Sequence, residues 1–137
     1  MGAWSADSYG NDTACDWAYG LDGMSDLDYV RQTIQTILNT APGAYLEGDQ
    51  AEEAIAAIEV IARLKGNYGV SDAYTEEIDN WVKDHPQQPP ADLVAAAVQA
   101  LDRILTAPSE LMELWEESDG FEAWRESVLD LKQRAGE

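Results

Sequence analysis

The sequence predicts an all-α protein, a small single-domain bundle of about six helices. Three observations carry that reading. Apolar residues recur at helical spacing along most of the chain, and strand-like alternation is absent. The periodic stretches are separated by Gly, Pro, Ser, Asp and Asn, the residues that start and stop helices. With 45% hydrophobic residues in a chain of 137, enough apolar surface exists for one core. The domain is expected to span residues 1–137, with 1–10 an irregular segment packing on the bundle.

The first helix is expected from Asn11 or Asp12, both good caps, with Ala14, Trp17, Ala18 and Leu21 inward and Gly20 and Gly23 at its end. The second is expected to start at Ser25, which has Asp28 three residues on. Its stripe is Leu27, Val30, Ile34, Ile37 and Leu38, and Pro42-Gly43 marks the exit. The third has Asp49 as expected cap and Glu52 as its partner. Ala51, Ala54, Ile55, Ile58, Ile61 and Ala62 share one face, and Glu59 and Arg63 fall on the other at favourable i,i+4 spacing.

Thr75 is expected to cap a short helix burying Ile78, Trp81 and Val82. The proline-rich run from His85 to Pro90 reads as a stiff connector, with Pro90 suited to a helix start. A helix presenting Leu93, Val94, Ala97, Leu101, Ile104 and Leu105 follows. Pro108-Ser109 restarts the chain into a short helix with Leu111, Met112, Leu114 and Trp115. Asp119, with Glu122 three residues on, is expected to cap a last helix carrying Phe121, Trp124, Val128 and Leu131.

Charge narrows the function. Twenty-seven Asp and Glu against eight Lys and Arg give a formal net charge of -19 and a sequence pI near 4.1. Bulk attraction to nucleic acid or an anionic membrane is excluded. One Cys rules out an internal disulfide, and one His rules out any site needing two imidazoles, including a di-metal carboxylate bundle with its paired Glu-x-x-His motifs. No calcium loop, nucleophile elbow or phosphate loop is present. Cys15 lies beside Asp16, which blunts thiolate formation, and reads as a small, partly buried helix residue. His85 reads as a solvated connector imidazole. No enzyme, metal or cofactor is therefore expected. The N-terminus shows neither a basic nor an apolar leader pattern, so the expected location is the cytoplasm.

Four stretches carry a family resemblance: Met1-Gly2-Ala3-Trp4; Asn11-Asp12-Thr13-Ala14-Cys15-Asp16-Trp17; Ala51-Glu52-Glu53-Ala54-Ile55-Ala56-Ala57-Ile58-Glu59; and Ser109-Glu110-Leu111, then Glu113-Leu114-Trp115, running on to Trp124. In this order they resemble the DUF4259 family of bacterial proteins. The departure is Ser5-Ala6-Asp7-Ser8-Tyr9-Gly10, where members usually carry a glycine-rich Trp-Gly-x-Gly-Pro-Phe run. The family's function is unknown, so the resemblance implies no mechanism.

Two features exceed what folding requires. Glu122, Glu126 and Asp130 stand in one i,i+4,i+8 column, and Glu110, Glu113 and Glu117 line the preceding helix. Like charges at this spacing cost each helix about 0.2–0.5 kcal/mol per pair. Trp4 lies outside any apolar stripe and suits either a staple on the bundle or a partner anchor. Glu113, Glu117, Glu122, Glu126, Asp130 and Trp4 are thus the candidate partner-binding residues, with Asp72 and Asp79 as equally exposed acids elsewhere. The expected function is an immunity or inhibitor-type protein that neutralises a basic protein partner, such as a bacterial toxin, without touching nucleic acid or membrane. The alternatives are an acidic adaptor or nucleic-acid mimic, and a small ligand-binding or enzymatic bundle.

Overall fold

The computed structural model describes residues 5–137, which form seven helices: α1 (Asp12–Tyr19), α2 (Asp28–Leu38), α3 (Gly48–Leu64), α4 (Glu76–Asp84), α5 (Ala91–Ile104), α6 (Glu110–Glu116) and α7 (Phe121–Gly136). Among the described residues no strand forms, and a single parallel bridge pairs Leu46 with Ser109. The chain is all-α, as its periodicity predicts. Each of the seven helices lies at one of the periodic stretches read from the sequence, including the short α6, so the count is one above the figure of about six.

α3 is the hub. It touches each of the other six helices, while α2, α5 and α7 follow one another around it. Residues 54–63 of α3 are buried without a break. Four alanines in that run keep its surface low, so neighbours pack close, and the isoleucines fill the gaps between them. An apolar helix of this kind is one surrounded on all sides rather than one with a wet face. The expectation of a polar face bearing Glu59 and Arg63 is therefore corrected: their side chains are 4% and 1% exposed.

The caps agree with expectation at some ends and not at others. Asn11 accepts the backbone N–H of Ala14 at 2.7 Å and starts α1 as expected. α2 starts three residues after Ser25, where the Asp26 carboxylate takes the N–H of Asp28 at 3.0 Å. α3 does not use Asp49. The N–H of Gly48 is taken at 2.7 Å by Glu110, 62 residues downstream on α6. α7 follows Gly120, whose N–H donates to the Ser118 hydroxyl at 3.1 Å, so Asp119 is not the cap.

Tryptophans join the outer helices. Trp17 of α1 stacks on Tyr29 of α2 at 4.9 Å and donates its indole N–H to Thr33. Trp115 and Trp124 stack at 6.3 Å across α6 and α7. The break at residues 118–120 thus folds those two helices back on each other. His85 is half-buried, packed against Trp81 at 4.9 Å with Nδ1 at 3.1 Å from the Trp81 carbonyl. It is not the free connector imidazole expected. No described helix is long and apolar enough to cross a membrane.

Candidate functional site

The buried charges of α3 form the floor of a cleft. Glu59 accepts both terminal nitrogens of Arg134, at 2.9 and 2.8 Å, and the Ser8 hydroxyl at 2.7 Å. Arg63 lies one turn further along α3, with Nε 3.3 Å from Glu59 but out of line for a hydrogen bond. Its terminal nitrogens reach Asp79 of α4 at 2.6 Å, Ser71 at 3.0 Å and the Val70 carbonyl. Arg134 closes the network by donating Nε to Asp130 at 2.7 Å. One acid and two arginines are thereby desolvated together. Such groups are tolerated in an interior only when each is paired and its remaining polar atoms are bonded.

Three irregular segments and α7 complete the cleft. Residues 5–10 cross the top as a strap: Ser8 bonds Glu59, and Tyr9 buries its ring and donates its hydroxyl to the Ala56 carbonyl at 2.8 Å. The strap is closed by a Ser5 N–H to Gly10 carbonyl bond at 3.3 Å. Gly69 lies against the Arg134 guanidinium so closely that a Cβ there would come within 2.7 Å of it. Asn67 holds the same arginine's backbone carbonyl at 2.9 Å. The turn at 72–75 is ordered by Asp72, which accepts the N–H groups of Tyr74 and Thr75, while the Thr75 hydroxyl bonds Asp79 at 2.8 Å. The cleft has a volume of about 220 Å³, with Ser127 and Asp130 of α7 on its wall.

Electrostatics follow the packing. Burial alone would lower the Arg134 pKa, but Glu59 and Asp130 overcome it and raise the pKa, so this guanidinium is permanently charged. Burial, and then the Glu59 charge, push the Tyr9 phenol well above its usual range, so it remains a donor. Burial raises the Cys15 thiol, with Asp12, Asp16 and Asp72 adding to it, and the group is a poor nucleophile. Among the described residues no three His, Cys, Asp or Glu side chains converge to hold a metal ion.

The sequence-selected acids scatter. Asp130 joins the cleft. Glu113 accepts the Tyr45 hydroxyl at 3.3 Å. Glu117 follows α6 as its C-cap and is exposed. Glu122 and Glu126 stand exposed on α7 without an ion-pair partner among the described residues. Glu110, which stands with Glu113 on α6, is spent on α3. Asp79 is not an exposed acid but a partner of Arg63. Trp4 lies outside the described residues. Glu59, Arg63 and Arg134 are the cleft residues missed as a site. The visible signal was a charged pair flanked by apolar residues on every side of one helix.

A buried ionic centre roofed by an irregular strap, inside a bundle around one apolar helix, defines a small helical domain of acidic surface and polar cleft. The chain belongs to the family described as a domain of unknown function (DUF4259), whose model matches residues 2–127. No curated protein and no solved structure matches the chain.

Proposed function

We propose that the chain is a small acidic binding protein of the cytoplasm, of the immunity or inhibitor type. It neutralises a basic protein partner such as a bacterial toxin, by charge complementarity rather than catalysis. One observation carries the reading: most of the few cations are already engaged within the protein. Of the eight Lys and Arg, Arg31, Arg63, Lys132 and Arg134 are ion-paired with acids, Lys65 and Arg103 donate to backbone carbonyls, and Lys83 and Arg125 stand exposed. Among the described residues, five of the 27 acids have a cation within ion-pair distance. The outer surface is left with an almost uncompensated negative field. Such a field steers a basic protein into encounter, at rates up to about 10⁸–10⁹ M⁻¹s⁻¹ at low salt.

The experiment is capture from the native cell on immobilised protein, followed by a salt gradient. Basic proteins released by moderate salt are the expected result. A retained partner that is neutral or acidic, or that resists salt, overturns the reading.

A further inference from the structure

Residues 66–75 have no helical periodicity, yet they are held at both ends and from beneath. Gly66, at φ +87°, turns the chain out of α3, and the Asn67 N–H returns to the Ala62 carbonyl at 2.9 Å. The Asn67 side chain bonds the Arg134 carbonyl, and Gly69 packs on the same arginine's guanidinium. Buried Arg63 donates to the Ser71 hydroxyl at 3.0 Å and to the Val70 carbonyl. Asp72 and Thr75 then order the entry into α4. The loop is thus fixed by buried charge rather than by burying its own apolar side chains.

Those side chains stand outside. Tyr68 is 49% exposed and Val70 50%. The Arg63 guanidinium lies 5.2 Å from the Tyr68 ring centroid and also holds the Val70 backbone, so one buried cation positions both. Apolar side chains on a backbone ordered in advance lose little freedom when a partner covers them. Loops set on a rigid scaffold in this way are where recognition concentrates.

The surroundings select the partner. Asp7, Asp72 and Asp130 stand exposed around the cleft that Val70 lines, and both arginines of that cleft are ion-paired. Residues 66–82 contain four acids and no Lys or Arg. A second copy of the chain, with the same formal net charge of -19, is repelled from this face, whereas a basic surface is attracted to it.

We infer that residues 66–75 are the docking loop for the basic protein partner, with Tyr68 and Val70 entering an apolar depression ringed by Lys or Arg. This rests on the binding-protein reading above and names the face that reading leaves open. The α7 acids would act on encounter, and the loop on how long the complex lasts.

The probe is the basic protein that salt releases from the immobilised wild-type chain. Once purified, it is passed over wild type, Tyr68→Ser and Val70→Ser in surface plasmon resonance. Val70→Ser keeps the carbonyl that Arg63 uses, and unfolding midpoints check both folds. Each variant should dissociate about tenfold faster or more, with association little changed, as removal of a central apolar anchor requires. In hydroxyl-radical footprinting the partner should shield Tyr68 and leave Tyr45, also half-exposed, reactive.

Wild-type dissociation of Val70→Ser overturns the proposal, as does shielding of Tyr45 in place of Tyr68. Sedimentation showing self-association that Val70→Ser abolishes would assign the loop to a second copy and overturn it too. If no basic protein is captured, the binding reading falls and the loop falls with it. If one is captured and the serine variants hold it as wild type does, the loop alone is wrong.

Discussion

Glu59 and Arg63 on α3, and Glu122, Glu126 and Asp130 on α7, are both charged residues repeated at i,i+4 on a helix. Their surroundings make them opposites. The α3 pair is buried beneath a polar cleft and bonded on nearly every polar atom, so its charges are structural. Glu122 and Glu126 face water and hold nothing together. Asp130 stands where the two regimes meet, 61% exposed yet bonded to the arginine that neutralises Glu59. Spacing says which side chains share a face. What covers that face decides whether a charge is a structural necessity or is free for recognition.

The sharpest way to break this contrast is Glu59→Ala. It leaves two arginines without their shared acid, one of them fully buried, and should cost about 3–5 kcal/mol in urea unfolding. A loss below about 1 kcal/mol, the value of an ordinary surface pair, would erase the distinction. Next is Gly10→Ala, which tests the strap. Its Cβ would fall 2.0 Å from the Ser5 hydroxyl and 2.7 Å from the Ser5 carbonyl. Relieving that overlap should cost about 1–3 kcal/mol and lift Ser8 from Glu59. A wild-type unfolding midpoint would show that residues 5–10 contribute nothing to the buried centre.

Smaller effects belong to the surface. Moderate sodium chloride should raise Tm by a few degrees, since screening relieves acidic repulsion more than it weakens the buried pair. A fall in Tm would reverse that ranking. The pH dependence has a definite sign. Burial raises the pKa of Glu52, Glu53 and Glu77, with Asp49 adding to the first two and Asp22 to the third. Folded carboxyls of this kind take up protons before unfolded ones do. Stability should therefore increase as pH falls from neutral to about 4.5. Asp92 works the other way. A hydrogen bond from Arg31 lowers its pKa, so its contribution persists through that window and is lost only at lower pH. Differential scanning calorimetry between these pH values reads the sign directly.

The smallest effect on stability should come from Glu122→Lys with Glu126→Lys. The midpoint should stay put or rise slightly, while association with a basic partner slows and becomes less salt-dependent. The comparison pair is Glu47→Lys with Asp84→Lys, because Asp79 is engaged by Arg63. Equal association rates for the two double variants would make the α7 column a solvated surface only.

Helix order, the Asn11 cap and the tryptophan-bearing stripes were legible because each is local, set by residues within a turn or two of each other. The start of α3 was not, because its cap is Glu110 from another helix. The orientation of Glu59 and Arg63 was misread because one helix had been assigned one apolar face. Alanines at 54, 56, 57 and 62 allow approach from all sides, and that signal lay in the sequence. The cleft was invisible for a different reason. Its walls come from residues 5–10 and 66–75, which have no periodicity, and from Arg134, which pairs with a residue 75 positions away.

That last separation bears on how the protein is made. As a ribosome releases α3, Glu59 emerges with no Arg134 yet synthesised, and the start of the helix emerges with no Glu110. Local bonds let the segment coil, with Ser8 and Arg63 already at hand, but its interior acid lacks its bidentate partner until 75 more residues have been added, several seconds at ordinary elongation rates. The hub of the fold therefore matures last. During those seconds its isoleucines and alanines are available to chaperones.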